Sequence, residues 1–532
     1  VVTPVTAPAG PARAAAGMGV ATAVSRGFGF LRVLVIAAVL GTTYLGNTFQ
    51  ASNSVSNVLF ELLAAGALSA VLVPTFVRLL DRGEHGEAER LANGLLGLSL
   101  LALGAVAAVG VIAAPWLARL LSSGVDDPTI AAQQEHVATF LLRFFVPQVL
   151  LYALGAIAIA VLYAKRRFVI TALAPIGNTV VLVAALVVFR QLHGAGPADL
   201  DLTTGEKLAL ALGGTLGVLA FVAVPVAALW RDGFLLRPRL QPRDPAVRGL
   251  LRLSGWAVLQ HAGAGLLLGA AIVVGNGVAG GVVAYQVAFV FFLAPYAILA
   301  QPIHTAILPD LAREAARSDR ADFGASLRWA LDGMAVLVVP VSAALLALAE
   351  PTMRVFAFGK AADGAGVSLL AAGLASLALG LYAYGAFLLL ARAHYALGDS
   401  RTPALVALGT ALLGVAVMVG AASLTHGAAR VAALGIGHSV AYVIGSVVLA
   451  VGLSRRTGEL VAPRALPRAL GLSALLGLVA WRVVEAAGIV SRPAGVALLA
   501  MVSLAGAGAY VGGLRLLGGG RPRLRPVAGR TG

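Results

Sequence analysis

Two arginines, Arg26 and Arg32, stand six positions apart in the stretch SRGFGFLR, inside a long apolar run. An ionisable side chain at the centre of a membrane span costs about 2.5–3.5 kcal/mol, so its presence calls for a functional reading. Arg26 lies about nine residues from the expected helix start, within reach of the interface by snorkelling. Arg32 lies about fifteen residues in, roughly 22 Å along the axis, too deep for that escape. A guanidinium keeps its charge and presents a planar fork of donors, so this pair suits an anion with phosphate-type oxygens. A plainer reading stays open beside it. Arg32 can instead bridge to an acid such as Glu61, and Arg26 can serve as an interfacial anchor.

Other polar residues in apolar runs carry the same choice between a functional and a plainer role. Glu61 is either a counter-ion for a first-helix arginine or a cation-coupling carboxylate. Arg143, in LLRFFVPQ, either lines the same cavity or marks the outer interface. Arg392 and His394 read as anchors near a helix end. His261, His304 and His438 have no metal-ligand spacing and read as hydrogen-bonded packing residues. Asp332 follows Arg328 by four residues, and Glu485 follows Arg482 by three, which suits pairs along one helix face. The chain has no Cys, which excludes thiolate chemistry and disulfides. Its one Gly-Lys pair, Gly359-Lys360, is followed by Ala361, so there is no phosphate-binding loop of the nucleotide-hydrolysing kind. No nucleophile motif occurs in a suitable context. The residues point to binding and transport and not to an enzyme, and no metal or cofactor is implied.

The elements that must position these groups are membrane helices. The chain has 532 residues, 59% of them apolar and only 12% charged, with a mean hydropathy of +0.92. Apolar runs of 18 or more residues recur along it, each long enough to cross about 30 Å of hydrocarbon. Fourteen spans are predicted, near 17–40, 54–79, 93–121, 136–163, 168–190, 207–230, 248–278, 280–308, 325–350, 367–395, 403–423, 430–454, 466–487 and 494–518. The fold class is therefore an all-α polytopic membrane protein.

The net charge of +16 sits in short loops between apolar runs, which argues against nucleic acid as a partner. With both termini cytoplasmic, Lys165, Arg166, Arg167, Arg237, Arg239, Arg243, Arg455, Arg456 and the Arg521, Arg523, Arg525 tail all fall inside. Only Arg354, Lys360 and Arg492 fall outside, a strong positive-inside bias. Residues 1–16 read as a disordered cytoplasmic tail and 519–532 as a basic one.

Weak internal matches, such as 32–41 with 267–276 and Tyr163-Ala164 with Tyr395-Ala396, keep their order and nearly constant spacing. They predict two six-helix lobes of the same topology, 17–230 and 248–454, with a final pair at 466–518. Two lobes rocking about a cavity are a transporter architecture.

The stretch SRGFGFLRVLVIAAVLG, followed by NTFQASNSVSNVLFELLAAGALSAVLVPTFVRLL at 47–80, resembles the signature region of the MurJ/MviN family of lipid II flippases. RRFVITALAPIGN (166–178), AYQVAFVFFLAPYAILAQPIHTAILPDLARE (284–314), VFAFGKAADG (355–364) and HYALGDSRTP (394–403) resemble further family segments in order. NVLFELL is closer in character to the actinobacterial branch.

The resemblance implies fourteen helices in two lobes plus a pair, within the MOP flippase superfamily of the bacterial inner membrane. It implies transport of a polyprenyl-pyrophosphate-linked peptidoglycan precursor by alternating access, with a membrane potential or ion gradient as the energy source. It places Arg26 and Arg32 at cavity positions that engage the headgroup, and the last two helices at a groove for the polyprenyl tail. Cell-wall synthesis proteins are the partners it implies. Val33 and Asn47 stand where other members carry acids, a basic pair falls at Phe60-Glu61, and a cavity arginine falls near Val290. Alternatives are a flippase for another lipid-linked oligosaccharide, a cation-coupled multidrug exporter of the same superfamily, and a membrane scaffold for cell-wall synthesis.

Overall fold

The computed structural model describes residues 11–60, 66–194, 196–240, 255–488 and 491–517. The chain divides into two compact units, residues 1–265 and 266–532. Every regular element among the described residues is helical. That is the expected solution where the bilayer offers no water to satisfy backbone N–H and C=O groups.

The first unit holds α1 (Pro11–Leu40), α2 (Tyr44–Phe60), α3 (Gly66–Asp81), α4 (His85–Ile112), α5 (Ala114–Ser122), α6 (Pro128–Phe145), α7 (Gln148–Ala164), α8 (Phe168–His193) and α9 (Thr204–Arg231). α10 (Gly255–Gly275) spans the boundary between the units. α1 begins at Pro11, before the predicted start at 17, and residues 1–10 lie outside the described residues. α8 packs along α9 and α1, while α2 lies on α6. The core joins Ile36, Leu40, Phe49, Leu141, Phe145 and Leu186, with the Phe49 and Phe145 rings edge to face at 5.9 Å.

Turn chemistry sets the helix ends. Gly41 takes φ +74 between α1 and α2, and the Thr43 hydroxyl then accepts from the Gly46 N–H at 3.2 Å. Thr203 and Glu206 form a capping box at the start of α9. At the other end of α9, Asp232 accepts from Arg167 at 2.9 Å, tying it to the start of α8.

The second unit continues with α11 (Gly281–Pro295), a π-helical turn (Tyr296–Ala300), α12 (Gln301–Ala316), α13 (Arg320–Ala347), α14 (Ala349–Phe356), α15 (Gly364–Ala378), α16 (Leu381–Ala396), α17 (Arg401–Ala422), α18 (Gly427–Thr457), α19 (Leu466–Ala487) and α20 (Arg492–Leu516). Pro295 and Pro302 flank the π turn, and each removes a backbone donor from the ladder. α17 and α18 cross on glycine. A Cβ at Gly414 would lie 2.7 Å from the Gly437 carbonyl oxygen, and one at Gly437 2.5 Å from that of Gly414. Small residues permit this backbone approach, from which membrane helices gain packing in place of a hydrophobic drive.

Twelve helices among the described residues are long and apolar enough to span a bilayer, or thirteen if α15 and α16, bent by 44°, count as one. The predicted span at 54–79 falls on α2 and α3, with 61–65 between them outside the described residues. α2, 17 residues long and rich in Asn and Ser, does not count by length and composition, and six of its polar side chains are buried in protein. Lipid takes up the apolar surface elsewhere: only 11% of the most apolar stretch of α20 is buried, and Leu504 is 74% exposed.

Two local expectations are corrected. Arg328 does not pair with Asp332. It donates to Glu459 at 3.3 Å, while Asp332 accepts from the Ala465 N–H at 2.8 Å. His394 is no interfacial anchor: it is fully buried, 3.2 Å from Asp399 and 3.3 Å from the Leu449 carbonyl. Arg482 and Glu485 do pair, at 3.4 Å.

Candidate functional site

The polar centre of the first unit is a seam between α1, α2, α7 and α9. Six polar residues of α2, from Asn47 to Ser56, are buried. The Ser56 hydroxyl donates to Gln148 Oε1 at 3.2 Å, Gln148 Nε2 donates to Thr215 Oγ1 at 3.1 Å, and Thr215 donates to the Phe144 carbonyl at 3.1 Å. Tyr152, one turn beyond Gln148 on α7, hydrogen-bonds Ser56 and packs its ring on Phe60 at 5.6 Å. Arg32 lies within electrostatic range of Tyr152.

Arg32 is half-buried. Its Nε, together with Gln50 Nε2 and the Ser52 hydroxyl, has no hydrogen-bond partner among the described residues. Buried polar groups are normally paired. A guanidinium with an unmatched N–H can take anionic oxygens, and Gln50 and Ser52 on α2 bring further unmatched polar groups into the interior of the same unit. The described part of the seam offers amides, hydroxyls and one guanidinium, with no carboxylate.

The expected site residues separate in space. Arg26 is exposed on α1, and six positions place it about 120° around the helix from Arg32. The two arginines therefore do not form one stripe. Asn47 is fully buried near the start of α2. Arg143 is exposed at the end of α6. Glu61 lies outside the described residues. Tyr152, Ser56, Gln148 and Thr215 escaped the sequence reading. Gln148 alone carried a signal, as an amide in an apolar run, while the others are ordinary in membrane helices.

A second feature lies in the second unit. α13, α14, α19 and α20 enclose an apolar groove of about 700 Å³, lined among others by Val336, Pro340, Leu345, Leu476, Leu499 and Ala507. Among its lining residues are Thr352, Ser473, Ser503 and Tyr510, and none is charged. Such a surface suits a hydrocarbon chain.

This fold, a polytopic bundle of membrane-length helices, is shared with solved transporters of the MOP superfamily. A multidrug resistance transporter of that superfamily, in an inward-facing conformation, superposes with a TM-score of 0.63 at 13% identity, over 81% of this chain and 94% of its own. The family profile described as Lipid II flippase MurJ matches residues 36–505, and the chain belongs to that family. The structure of a lipid II flippase MurJ in an inward closed conformation superposes with a TM-score of 0.71 at 18% identity, covering 94% of this chain and 99% of that one. Among sequence relatives, the lipid II flippase MurJ of Burkholderia cenocepacia is 26% identical over 398 residues, 74% of each chain. The probable lipid II flippase MurJ of Rhizobium meliloti is 28% identical over 399 residues, 73% of this chain and 71% of its own.

Proposed function

We propose that this chain moves lipid II from the inner to the outer leaflet of the cytoplasmic membrane by alternating access, with both termini cytoplasmic. Arg32 carries the reading: a guanidinium deep in a span, within electrostatic range of Tyr152 and with its Nε unmatched. Its role is to take the pyrophosphate, the most concentrated charge on the substrate, while the amides and hydroxyls of α2 meet the sugars. Arg26, exposed on the same helix, meets the headgroup on its way in, and the groove of the second unit takes the polyprenyl tail. A membrane potential or ion gradient supplies the directionality, and cell-wall synthesis proteins receive the product.

A multidrug exporter would need carboxylates to bind cations, whereas the described seam is built of donors and a guanidinium. A different polyprenyl-pyrophosphate glycolipid is the second reading, favoured by Val33 and Asn47 where the resemblance expects acids.

The test is complementation. The chain is expressed in bacteria depleted of their own lipid II flippase, and lipid II accessible at the outer face is measured for the intact protein and for Arg32→Ala at matched membrane abundance. Exposure restored by the intact chain and lost in the variant is the expected result. Restoration by both removes Arg32 from the mechanism, and none from the well-folded intact chain overturns lipid II as the cargo.

A further inference from the structure

A second buried polar centre lies in the C-terminal unit, and headgroup binding makes no use of it. His438 of α18 is 4% exposed, and its Nδ1 lies 2.9 Å from the hydroxyl of Tyr285 in α11, which is fully buried. Phe289 meets the imidazole edge to face at 5.6 Å. Tyr442, one turn further along α18, lies at 5.3 Å. From Tyr442 the ring contacts run to Tyr384 at 4.9 Å and then to Tyr296 at 4.8 Å, at the head of the π turn. Tyr442 and Tyr384 are partly exposed. Hydroxyl-bearing rings therefore lead from accessible surface to a buried imidazole.

What faces His438 decides how to read it. α11 brings Tyr285, α18 itself brings Tyr442, and α16 brings Tyr384 behind Tyr442. Arg430 is eight residues away on the same helix, about 12 Å along the axis. Arg392 and His394 lie eight and ten residues past Tyr384. α15 carries no ionisable residue, and α17 carries only Arg401, at its first position. The charged residues of α13 lie in its first half, where Arg328 is bonded to Glu459 and Asp332 to the Ala465 N–H. Among the described residues no carboxylate meets the ring. A protonated His438 would have only the Tyr285 oxygen and the aromatic faces to answer its charge.

We propose that His438 and Tyr285 form a proton-binding site through which a proton gradient acts on transport; the transport readout rests on the flippase reading above. Uptake adds one proton from water to the imidazole and moves no electrons. In the neutral ring with its hydrogen on Nε2, Nδ1 accepts from the Tyr285 O–H. In the imidazolium both nitrogens carry hydrogen, so Nδ1–H donates and the Tyr285 oxygen accepts, its own hydrogen turning away. The bond thus survives in both states with its direction reversed. The unanswered charge favours whichever conformation of the unit lets water reach the ring, and that conformation in turn favours the proton, as linkage requires.

The experiment uses the full chain in proteoliposomes with fluorescent lipid II, with and without an imposed pH difference. His438→Gln keeps a partner for Tyr285 and cannot take a proton. The intact chain is expected to change its flipping rate by at least about 5-fold with the gradient, the low end of site-to-site coupling. His438→Gln is expected to flip at one rate in both conditions. A variant that keeps the full gradient response, or an intact chain that shows none, overturns the proposal. Independently, the His438 ring signal in the nuclear magnetic resonance spectrum of the labelled intact chain, identified by its shift in Tyr285→Phe, is expected to titrate reversibly across the pH range in which the chain stays folded. A flat signal overturns the site. If the intact chain moves no lipid II in any condition, the flippase reading falls, and the titration alone then decides the proton site.

Discussion

The carboxylate of Asp399 accepts from the guanidinium of Arg456 across 2.8 Å, joining the loop after α16 to the last turn of α18. The same carboxylate is 3.2 Å from His394 and accepts from the Thr402 N–H at 3.0 Å. Its side chain is only 9% exposed, so one acid organises three segments of the second unit.

That arrangement predicts a pH dependence. Burial pushes the Asp399 carboxyl up, but the Thr402 hydrogen bonds, the Arg456 charge and His394 outweigh it and hold the pKa below the ordinary value. A depressed folded-state pKa gives stability above the unfolded-state pKa of about 3.9, lost as pH falls through the folded value. Asp399→Asn is expected to lower stability at pH 7 by about 1–2 kcal/mol, with the gap to the intact chain closing in the acid range. Thermal unfolding in detergent at pH 7 and in acid measures it. An equal gap at both pH values would remove the ionised carboxylate as the cause.

Arg32 can be dissected by charge and shape. Losing a charged hydrogen bond costs about 1.5–3 kcal/mol, so Arg32→Ala is expected to slow flipping about 10- to 100-fold. Arg32→Lys keeps the charge without the planar fork, and its rate is expected to fall between the two. Initial rates of lipid II exposure in proteoliposomes provide the measurement, and Lys matching Arg would show that charge alone suffices.

The α17–α18 crossing depends on its glycines. Gly437→Ala drives a methyl against the Gly414 carbonyl and the Met418 side chain, and overpacking of this kind costs about 1–3 kcal/mol. A lower unfolding temperature is expected, with no comparable loss for Gly420→Ala, where a Cβ meets open space.

The groove is expected to govern the tail and not the headgroup. Ala507→Trp fills part of the space between α13 and α20, so flipping of full-length lipid II should fall while an analogue with a short tail is moved at the intact rate. Equal losses for both lipids would sever the groove from tail binding.

Much of this molecule is legible one segment at a time. Each span's transfer to hydrocarbon is a sum over its own residues, so the all-α membrane fold and most helix limits follow from local hydropathy. The depth of Arg32 follows from counting along one helix. Local reading falters where partners compete. The spacing of Arg328 and Asp332 permits a pair, yet Glu459 and the Ala465 N–H, more than 130 positions away, win both residues. Tyr152 beside Arg32, Tyr285 on His438 and Asp399 on Arg456 are likewise meetings between separate segments. Sequence by itself determined which stretches enter the membrane, because that energy is additive along the chain. Only the tertiary structure decided which polar groups meet inside it. A buried donor or acceptor takes the partner that packing brings within about 3 Å, and distance along the chain says nothing of that.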